Sequence, residues 1–337
     1  MQAKRKELLD AIGKVKPALA DGKLIEFKGL LLFDGKKIVS YGDEISVSVP
    51  LETDFVAAIS ADEFSKLIQK TNETELDISL DNGQLLIKSG KMKAGFTLVE
   101  YNPEAVPDLG LSQVNRWFTF PEGFSDALKF CIFSASNDAA YGVLCNLKIE
   151  EERIISSDNY RITERILAKK MFGTKTPLLI PRKIATFLSS FKLTKYAITD
   201  ACAHYMDDTE VVFTHRLISE EYPQVEEHLK IEGNELELPK NLAGALGRAQ
   251  AISSSEGESK VTVSVGKKVI KIRGEAAGAW VEEPVNSSYK GEDLQFECSP
   301  EHLIQILDYS TMAIVGENAL LFAGSDFRHS VCLINKE

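Results

Sequence analysis

The amino-acid sequence predicts an α+β fold made of three similar modules, and three repeated patterns support this prediction. A short amphipathic helix pattern, with apolar residues at i, i+3 and i+4, occurs at 8–12, 124–128 and 242–246. A second helical segment follows at 59–68, 180–188 and 298–307. Strand-like runs with a period of two lie between them, for example at 76–80, 261–265 and 270–273. Each module is therefore expected to place two helices on antiparallel sheet.

The predicted second helices carry typical start signals. Ser60 and Ser299 stand where an N-cap residue belongs. Pro181 and Pro300 suit the first helical turn, where a missing N–H costs nothing. Turn signals such as Asn82-Gly83 separate the strands.

Two linker-like stretches divide the chain into the three modules. Tyr101-Asn102-Pro103 and Tyr222-Pro223 each precede an acidic stretch without periodicity. They place boundaries near residues 112 and 230, which predicts domains at 1–112, 113–230 and 231–337. Modules of this size lie within the usual range for domains.

The composition is that of a soluble globular protein. The 337 residues are 44% apolar and 26% charged, with a net charge of −11. No apolar stretch has the length of a membrane span, and the charged first ten residues do not resemble a signal peptide. Five cysteines without a CxxC motif predict buried, reduced thiols in a cytoplasmic protein. The acidic balance does not exclude nucleic acid, because local patches decide phosphate binding.

Motifs for catalysis or metal binding are weak. Cys202 with His204, and Cys298 with His302, lack the second pair that a structural zinc site needs. Ser157-Asp158 could be combined with a histidine, but the sequence has neither a GxSxG elbow nor a P-loop. We therefore expect no enzyme activity, no metal and no cofactor, while a small-molecule hydrolase on a repetitive α+β scaffold remains the alternative. Trp117 and Trp280 are interpreted as core or interface anchors.

Four stretches carry a family resemblance that spans nearly the whole chain. They are 154–162, 178–183, 213–218 with the following Tyr222-Pro223, and 296–303. In their order and spacing, the chain resembles the bacterial-type DNA polymerase sliding clamp, the β processivity subunit of the replicative polymerase. It departs from that family in its short length, a first strand nearly missing before Leu8, a clipped loop at 137–141 and a polar C-terminus. A divergent, phage-encoded lineage would explain these departures.

The resemblance implies a fold and a set of partners. Each of three clamp domains would consist of two βαβββ halves, and a head-to-tail homodimer would form a ring. The ring would encircle double-stranded DNA and hold the replicative DNA polymerase, the clamp loader and other clients through short peptides. No membrane partner is implied, and the expected location is the cytoplasm of a bacterium or of an infected host cell.

Helix-associated cations are the candidate DNA contacts, because phosphate attraction without base readout would let a ring slide. The candidate DNA-binding residues are Lys4, Arg5, Lys14, Lys16, Lys66, Lys70, Lys129, Asn137, Arg182, Lys183 and Arg248. Acidic clusters fall instead on predicted loops.

The resemblance also implies a peptide-binding groove between the second and third domains. The matching positions are Ser157, Asn159, Tyr160, Arg161, Ile162, Pro223, Leu229, His302, Leu333 and Ile334. Apolar walls with a few polar anchors suit peptide capture. Glu226, Glu227 and Glu337 would make the rim acidic, so the peptide specificity is expected to differ, with a basic client motif as one outcome.

Overall fold

The computed structural model describes residues 1–19, 29–42, 44–100, 109–171, 177–253 and 259–334. The predicted linker signal at 101–103 and the acidic Glu337 lie outside these residues. Within them, one order of elements, strand–helix–strand–strand–strand, occurs six times. The six βαβββ units confirm the repeat that the sequence predicts.

The first two units form the N-terminal third. They consist of β1 (Gln2–Lys4), α1 (Arg5–Leu19), β2 (Leu30–Phe33), β3 (Lys37–Tyr41), β4 (Ile45–Pro50), β5 (Ala57–Ser60), α2 (Ala61–Lys70), β6 (Glu75–Asp81), β7 (Gln84–Ser89) and β8 (Met92–Thr97).

The next two units form the middle third. They consist of β9 (Phe118–Thr119), α3 (Phe124–Ile132), β10 (Asn146–Glu150), β11 (Arg153–Ser157), β12 (Arg161–Ile166), β13 (Leu178–Pro181), α4 (Arg182–Leu188), β14 (Leu193–Ile198), β15 (Cys202–Asp207) and β16 (Val212–Arg216).

The last two units form the C-terminal third. They consist of β17 (Asn234–Glu237), α5 (Leu242–Ser253), β18 (Val261–Gly266), β19 (Val269–Ala276), β20 (Ala279–Asn286), β21 (Leu294–Cys298), α6 (Pro300–Leu307), β22 (Met312–Val315), β23 (Ala319–Ala323) and β24 (Phe327–Cys332). A short 3₁₀ turn, Glu226–Leu229, precedes them.

The strands form four antiparallel sheets. The first end sheet has the order β1-β6-β7-β8, and the second end sheet has the order β20-β19-β18-β21. The first long sheet runs β5-β2-β3-β4-β16-β15-β14-β9, and the second long sheet runs β13-β10-β11-β12-β24-β23-β22-β17. Each long sheet thus joins strands from two different thirds of the chain, through β4–β16 and through β12–β24.

The chain divides into two compact units that do not coincide with the predicted domains. One contains Met1–Pro121 and Phe187–Ile218, and the other contains Glu122–Lys170, Thr176–Thr186 and Ser219–Glu337. The pairing of middle-third strands with both neighbouring thirds explains this division. The domain boundaries near 112 and 230 remain predictions.

Amphipathic helices cover the sheets in both units. In the first unit, α1 packs on β3 and β4 and buries one stripe, formed by Leu8, Ala11, Ile12, Val15 and Ala18. In the second unit, α3 packs on β11 and β12, and α5 packs on β19 and α6. The i, i+3, i+4 spacing of these buried residues confirms the helical patterns read from the sequence.

Several local expectations need correction. Ile180 and Pro181 end β13, so α4 begins at Arg182 and Pro181 precedes the helix. Ser60 and Ser299 occupy N-cap positions without a side-chain cap bond, and the Ser60 hydroxyl instead bonds the Glu63 carboxylate. The strand expected to be nearly missing is present as β1, which pairs with β6.

The expectation of buried cysteines is wrong in part, and of the two roles predicted for Trp280 the structure excludes the core. Cys131, Cys202 and Cys298 are buried, whereas Cys145 is half-buried and Cys332 is exposed. Trp280 is 66% exposed and therefore is not a core residue. Among the described helices, none is long and apolar enough to cross a bilayer.

Candidate functional site

The candidate DNA contacts of the first unit lie on α1 and α2 or next to them. Lys16 and Lys70 are exposed. Lys4 pairs with Glu7 at 2.9 Å, Lys14 pairs with Asp10 at 3.0 Å, and Lys66 pairs with Asp62. Arg5 has a structural role, because its Nε and Nη2 donate to the carbonyls of Ile68 and Gln69 at 2.9 and 2.7 Å. These bonds satisfy carbonyls at the C-terminal end of α2.

The candidate contacts of the second unit differ in exposure. Lys129, Asn137 and Lys183 are exposed. Arg248 is exposed too, but it forms a bidentate pair with Glu283, with both N···O distances at 2.7 Å. Arg182 is half-buried and its Nε donates to the carbonyl of Ile132 at 3.0 Å. Burial, followed by the repulsion of Arg161, lowers the pKa of Arg182.

The candidate peptide site begins at the tight turn between β11 and β12. Asp158 Oδ1 accepts the backbone N–H groups of Tyr160 and Arg161, each at 3.1 Å. Asn159 adopts a left-handed conformation with φ of 79°, which asparagine tolerates. Asp158 Oδ2 also accepts Arg161 Nε at 2.8 Å. The turn is therefore held rigid by its own side chains.

Alternation along β12 decides which side chains face the groove. Arg161 and Thr163 lie on the side of α3, where the Arg161 guanidinium stands 5.5 Å from the Phe133 ring and Thr163 Oγ1 lies 2.6 Å from Ser134 Oγ. Ile162 and Glu164 point to the opposite side. A cavity of about 560 Å³, the turn cavity, is lined by Ile162 and also by Arg161.

The turn cavity brings together half of the predicted peptide-binding residues. These are Ser157, Asn159, Arg161, Ile162 and Pro223. Leu333 and Ile334 line a second cavity of about 640 Å³, the edge cavity, together with Leu294 and Phe296 of β21 and Val315 of β22. Leu333 and Ile334 follow β24 and do not belong to the final strand.

Three predicted residues lie beside the two cavities. Leu229 is 2% exposed and is a core residue. Tyr160 is 38% exposed, and its ring centroid lies 6.4 Å from the ring of His302 on α6. These two rings extend the apolar surface next to the tight turn.

A partly buried ionic cluster holds the 3₁₀ turn Glu226–Leu229 against β11. The Arg153 guanidinium contacts three carboxylates, those of Glu150, Glu164 and Glu226. Lys148 also contacts Glu150, at 2.6 Å, and Arg328 contacts Glu164, at 2.6 Å. Glu226 is therefore part of the scaffold, and the predicted acidic rim of the groove must come from other residues.

The hydrolase alternative finds no support in the described residues. His228 lines the turn cavity with Ser157, but the Ser157 hydroxyl accepts the backbone N–H of Asn159 at 3.2 Å and makes no hydrogen bond with His228. His215 is buried, with its Nε2 at 2.7 Å from the Tyr205 hydroxyl and its Nδ1 at 2.7 Å from the carbonyl oxygen of Arg216. No group of histidine, cysteine and acidic side chains suited to a metal occurs in the described parts of the chain.

Comparison with solved structures matches the whole chain. The DNA polymerase III subunit beta of Pseudomonas aeruginosa superposes with a TM-score of 0.86 at 16% identity, covering 100% of both chains. The DNA polymerase sliding clamp of Bacillus subtilis gives 0.83 at 18% identity, covering 100% of this chain and 99% of that one. The chain has the sliding-clamp fold. The resemblance read from the sequence is thereby confirmed at the level of the fold.

A third solved structure has the same fold, whereas comparison of sequences finds no match. The DNA polymerase III beta chain of Streptococcus pneumoniae gives a TM-score of 0.84 at 16% identity, covering 99% of each chain. No protein-family model and no curated protein sequence matches the chain. The clamp fold is thus retained where little sequence identity is left, because buried apolar periodicity can persist through extensive substitution.

Sequence reasoning missed several residues of the two cavities. Glu232 and Glu317 line both cavities, and Cys332 lines the turn cavity. One signal was available, since Glu232 precedes Gly233 and Glu317 follows Gly316, and a glycine beside a charged residue is typical of a turn.

Proposed function

We propose that this protein is a DNA sliding clamp, a homodimeric ring that encircles duplex DNA and is not an enzyme. The observation that carries the proposal is the clamp fold with its six serial βαβββ units. Two chains with three modules each would place six modules around the ring. Such a ring would hold DNA by enclosure and would need no sequence-specific contacts.

Two open strand edges support the head-to-tail dimer. The first end sheet has the edge strands β1 and β8, and the second has β20 and β21. We take β8 and β20 as the pair that meets, since each has one hydrogen-bonded neighbour among the described strands. Exposed strand edges readily pair with a further strand. Because the two edges differ, pairing β8 of one copy with β20 of another is a heterologous contact, which closes into a ring when the rotation permits.

The side chains at the two edges carry opposite charges. Lys93 on β8 and Lys91 just before it are exposed. Glu282 and the 66% exposed Trp280 stand on β20, where Glu282 also contacts Lys271 at 3.6 Å and Arg273 at 3.9 Å within its own sheet. Opposite charges would favour pairing of β8 with β20 over pairing of like edges.

The partners of the proposed clamp are DNA and peptide-bearing proteins. Exposed cations on α1, α2 and α3 would attract phosphates of double-stranded DNA. The turn and edge cavities would hold short peptides of the replicative DNA polymerase and of the clamp loader, which would open the ring. This function places the protein in the cytoplasm of a bacterium or of a phage-infected cell.

Retention on DNA tests enclosure directly. After loading on nicked circular DNA, the protein should stay bound when salt is raised to about 0.5 M, where exposed charges are strongly screened. Linearising the same DNA should release it, because a ring can slide off an end. The solution mass should be about twice 37.3 kDa. Equal loss from circular and linear DNA, or a monomer at micromolar concentration, would overturn the proposal.

The salt dependence of DNA binding tests the helix cations. Replacing Lys16, Lys70 and Lys129 with alanine should reduce the slope of log K against log salt by about 0.9 for each phosphate contact removed. A matched control replaces three exposed lysines away from the helices, Lys169, Lys267 and Lys290. If both triple variants change the slope equally, the helices are not the DNA-facing surface.

A further inference from the structure

The turn cavity and the edge cavity are two ends of one groove. Glu232 and Glu317 line both cavities, so the cavities meet at these two residues. We call this junction the acidic waist. The whole groove lies within the second compact unit.

Glycines fix the position of the acidic waist. An added Cβ at Gly233 would lie 2.0 Å from the Val315 carbonyl oxygen, and one at Gly316 would lie 2.5 Å from Ile231 Cγ2. Only glycine permits this close approach of the two segments. Glu232 precedes Gly233 and Glu317 follows Gly316, so the close approach determines where both carboxylates stand.

Apolar walls lie on either side of the acidic waist. The turn cavity contributes Ile162, Pro223 and Val225. The edge cavity contributes Leu294, Phe296 and Leu333. Each end can therefore bury one large apolar side chain, which is the usual source of affinity in a peptide site.

The charges that are not neutralised within the groove are negative. Glu232 and Glu317 are exposed and form no ion pair with the described residues. By contrast, Lys230 of the turn cavity pairs with Glu227 at 2.7 Å, and Arg161 pairs with Asp158 at 2.8 Å. No lysine or arginine is found among the described residues lining the edge cavity. The potential at the waist therefore favours a cation.

We propose that this groove selects peptides in which a lysine or arginine lies between two large apolar side chains. The apolar side chains occupy the turn cavity and the edge cavity, and the cation lies at the acidic waist between Glu232 and Glu317. This proposal rests on the proposed tethering of clients by peptides. It adds the charge that a client motif must carry for this clamp.

A peptide library tests the proposal on the full-length protein. The probes are fluorescein-labelled nonapeptides with leucine or phenylalanine at two positions, with the spacing varied and with lysine, arginine, glutamine or glutamate between them. Fluorescence anisotropy should show lysine and arginine peptides binding about tenfold more tightly than glutamine peptides, since two exposed ion pairs can supply a factor of this size. The preference should shrink as salt rises.

Variants locate the origin of the preference. Glu232→Gln with Glu317→Gln should remove the advantage of cationic peptides and leave glutamine peptides unchanged. Glu122→Gln, which removes an exposed carboxylate outside the groove, should preserve the advantage. Equal binding of all four classes would overturn the charge proposal and leave peptide tethering intact. Binding of no peptide would overturn both, while retention on circular DNA would report separately whether the ring itself functions.

Discussion

The two long sheets contain equivalent junctions with different polar content. In the first long sheet, β4 pairs with β16 from Ile45↔His215 to Ser48↔Val212, and β4 carries no charged residue. In the second long sheet, β12 pairs with β24 and sets Glu164 directly opposite Arg328. The same backbone arrangement thus has no charged side chain on β4 in one junction and an ion pair across the strands in the other.

The difference follows from what each junction must hold. At the first junction, uncharged residues face each other, with Val47 opposite Phe213 and Ser46 opposite Thr214. At the second junction, Arg153 reaches past Glu164 to Glu226 on the 3₁₀ turn, at 2.8 Å. That turn carries part of the wall of the turn cavity. The ion pairs therefore lie where the second long sheet holds the 3₁₀ turn Glu226–Leu229, which forms part of the wall of the turn cavity.

Breaking the ionic cluster should have the largest effect on stability. Arg153→Ala leaves Glu164, which is 2% exposed, with one cation fewer, so the free energy of unfolding should fall by about 3 kcal/mol. Denaturation with urea measures this loss. Arg248→Ala is the control, because its pair with Glu283 is exposed and should contribute less than about 1 kcal/mol. Similar losses in both variants would contradict the distinction between scaffold ions and surface ions.

Acid should weaken the first junction through His215. Burial lowers the pKa of His215 from 6.5 to about 4. Between these two pH values the unfolded chain therefore binds a proton at His215 and the folded protein does not. The free energy of unfolding should therefore fall as pH drops from 6.5 to 4, by about 1.4 kcal/mol per unit of pKa difference. His215→Gln should flatten this part of the profile. Parallel profiles for the two proteins would show that another group governs acid sensitivity.

Pairing of β8 of one copy with β20 of another would form a third junction between strands. Charge reversal tests whether ion pairs stabilise it, as they do the junction of β12 with β24. Lys93→Glu or Glu282→Lys alone should weaken dimerisation about tenfold, and the two together should restore it. Sedimentation equilibrium measures the dimer dissociation constant. If neither single change weakens the dimer, the junction is neutral, or β8 and β20 do not meet.

The periodic elements could be predicted because neighbouring residues determine them. The buried stripe of α1, the alternation of β18 and the turn at Asn82-Gly83 follow from spacing and turn chemistry alone. Helix starts were less accurate. At α4 the apolar residues before Arg182 belong to a strand, and apolar periodicity does not separate a buried strand from the following helix.

The groove was predicted only in part. Ser157, Asn159, Arg161, Ile162 and Pro223 were found through the family resemblance, and they do line the turn cavity. Glu232 and Glu317 were missed, because a lone glutamate beside a glycine is common on protein surfaces. Their significance arises only where β17 approaches β22 and two distant segments meet.

The order of residues by itself indicated the six α-helices of the described residues, several strands and the threefold repeat, because hydrogen bonding and apolar periodicity act over a few residues. The tertiary structure alone decided which strands join into the long sheets and which charges stand together. Glu164 and Arg328 are 164 positions apart, and no local pattern links them. Whether a carboxylate supports the scaffold or faces a partner depends on what chain folding brings next to it.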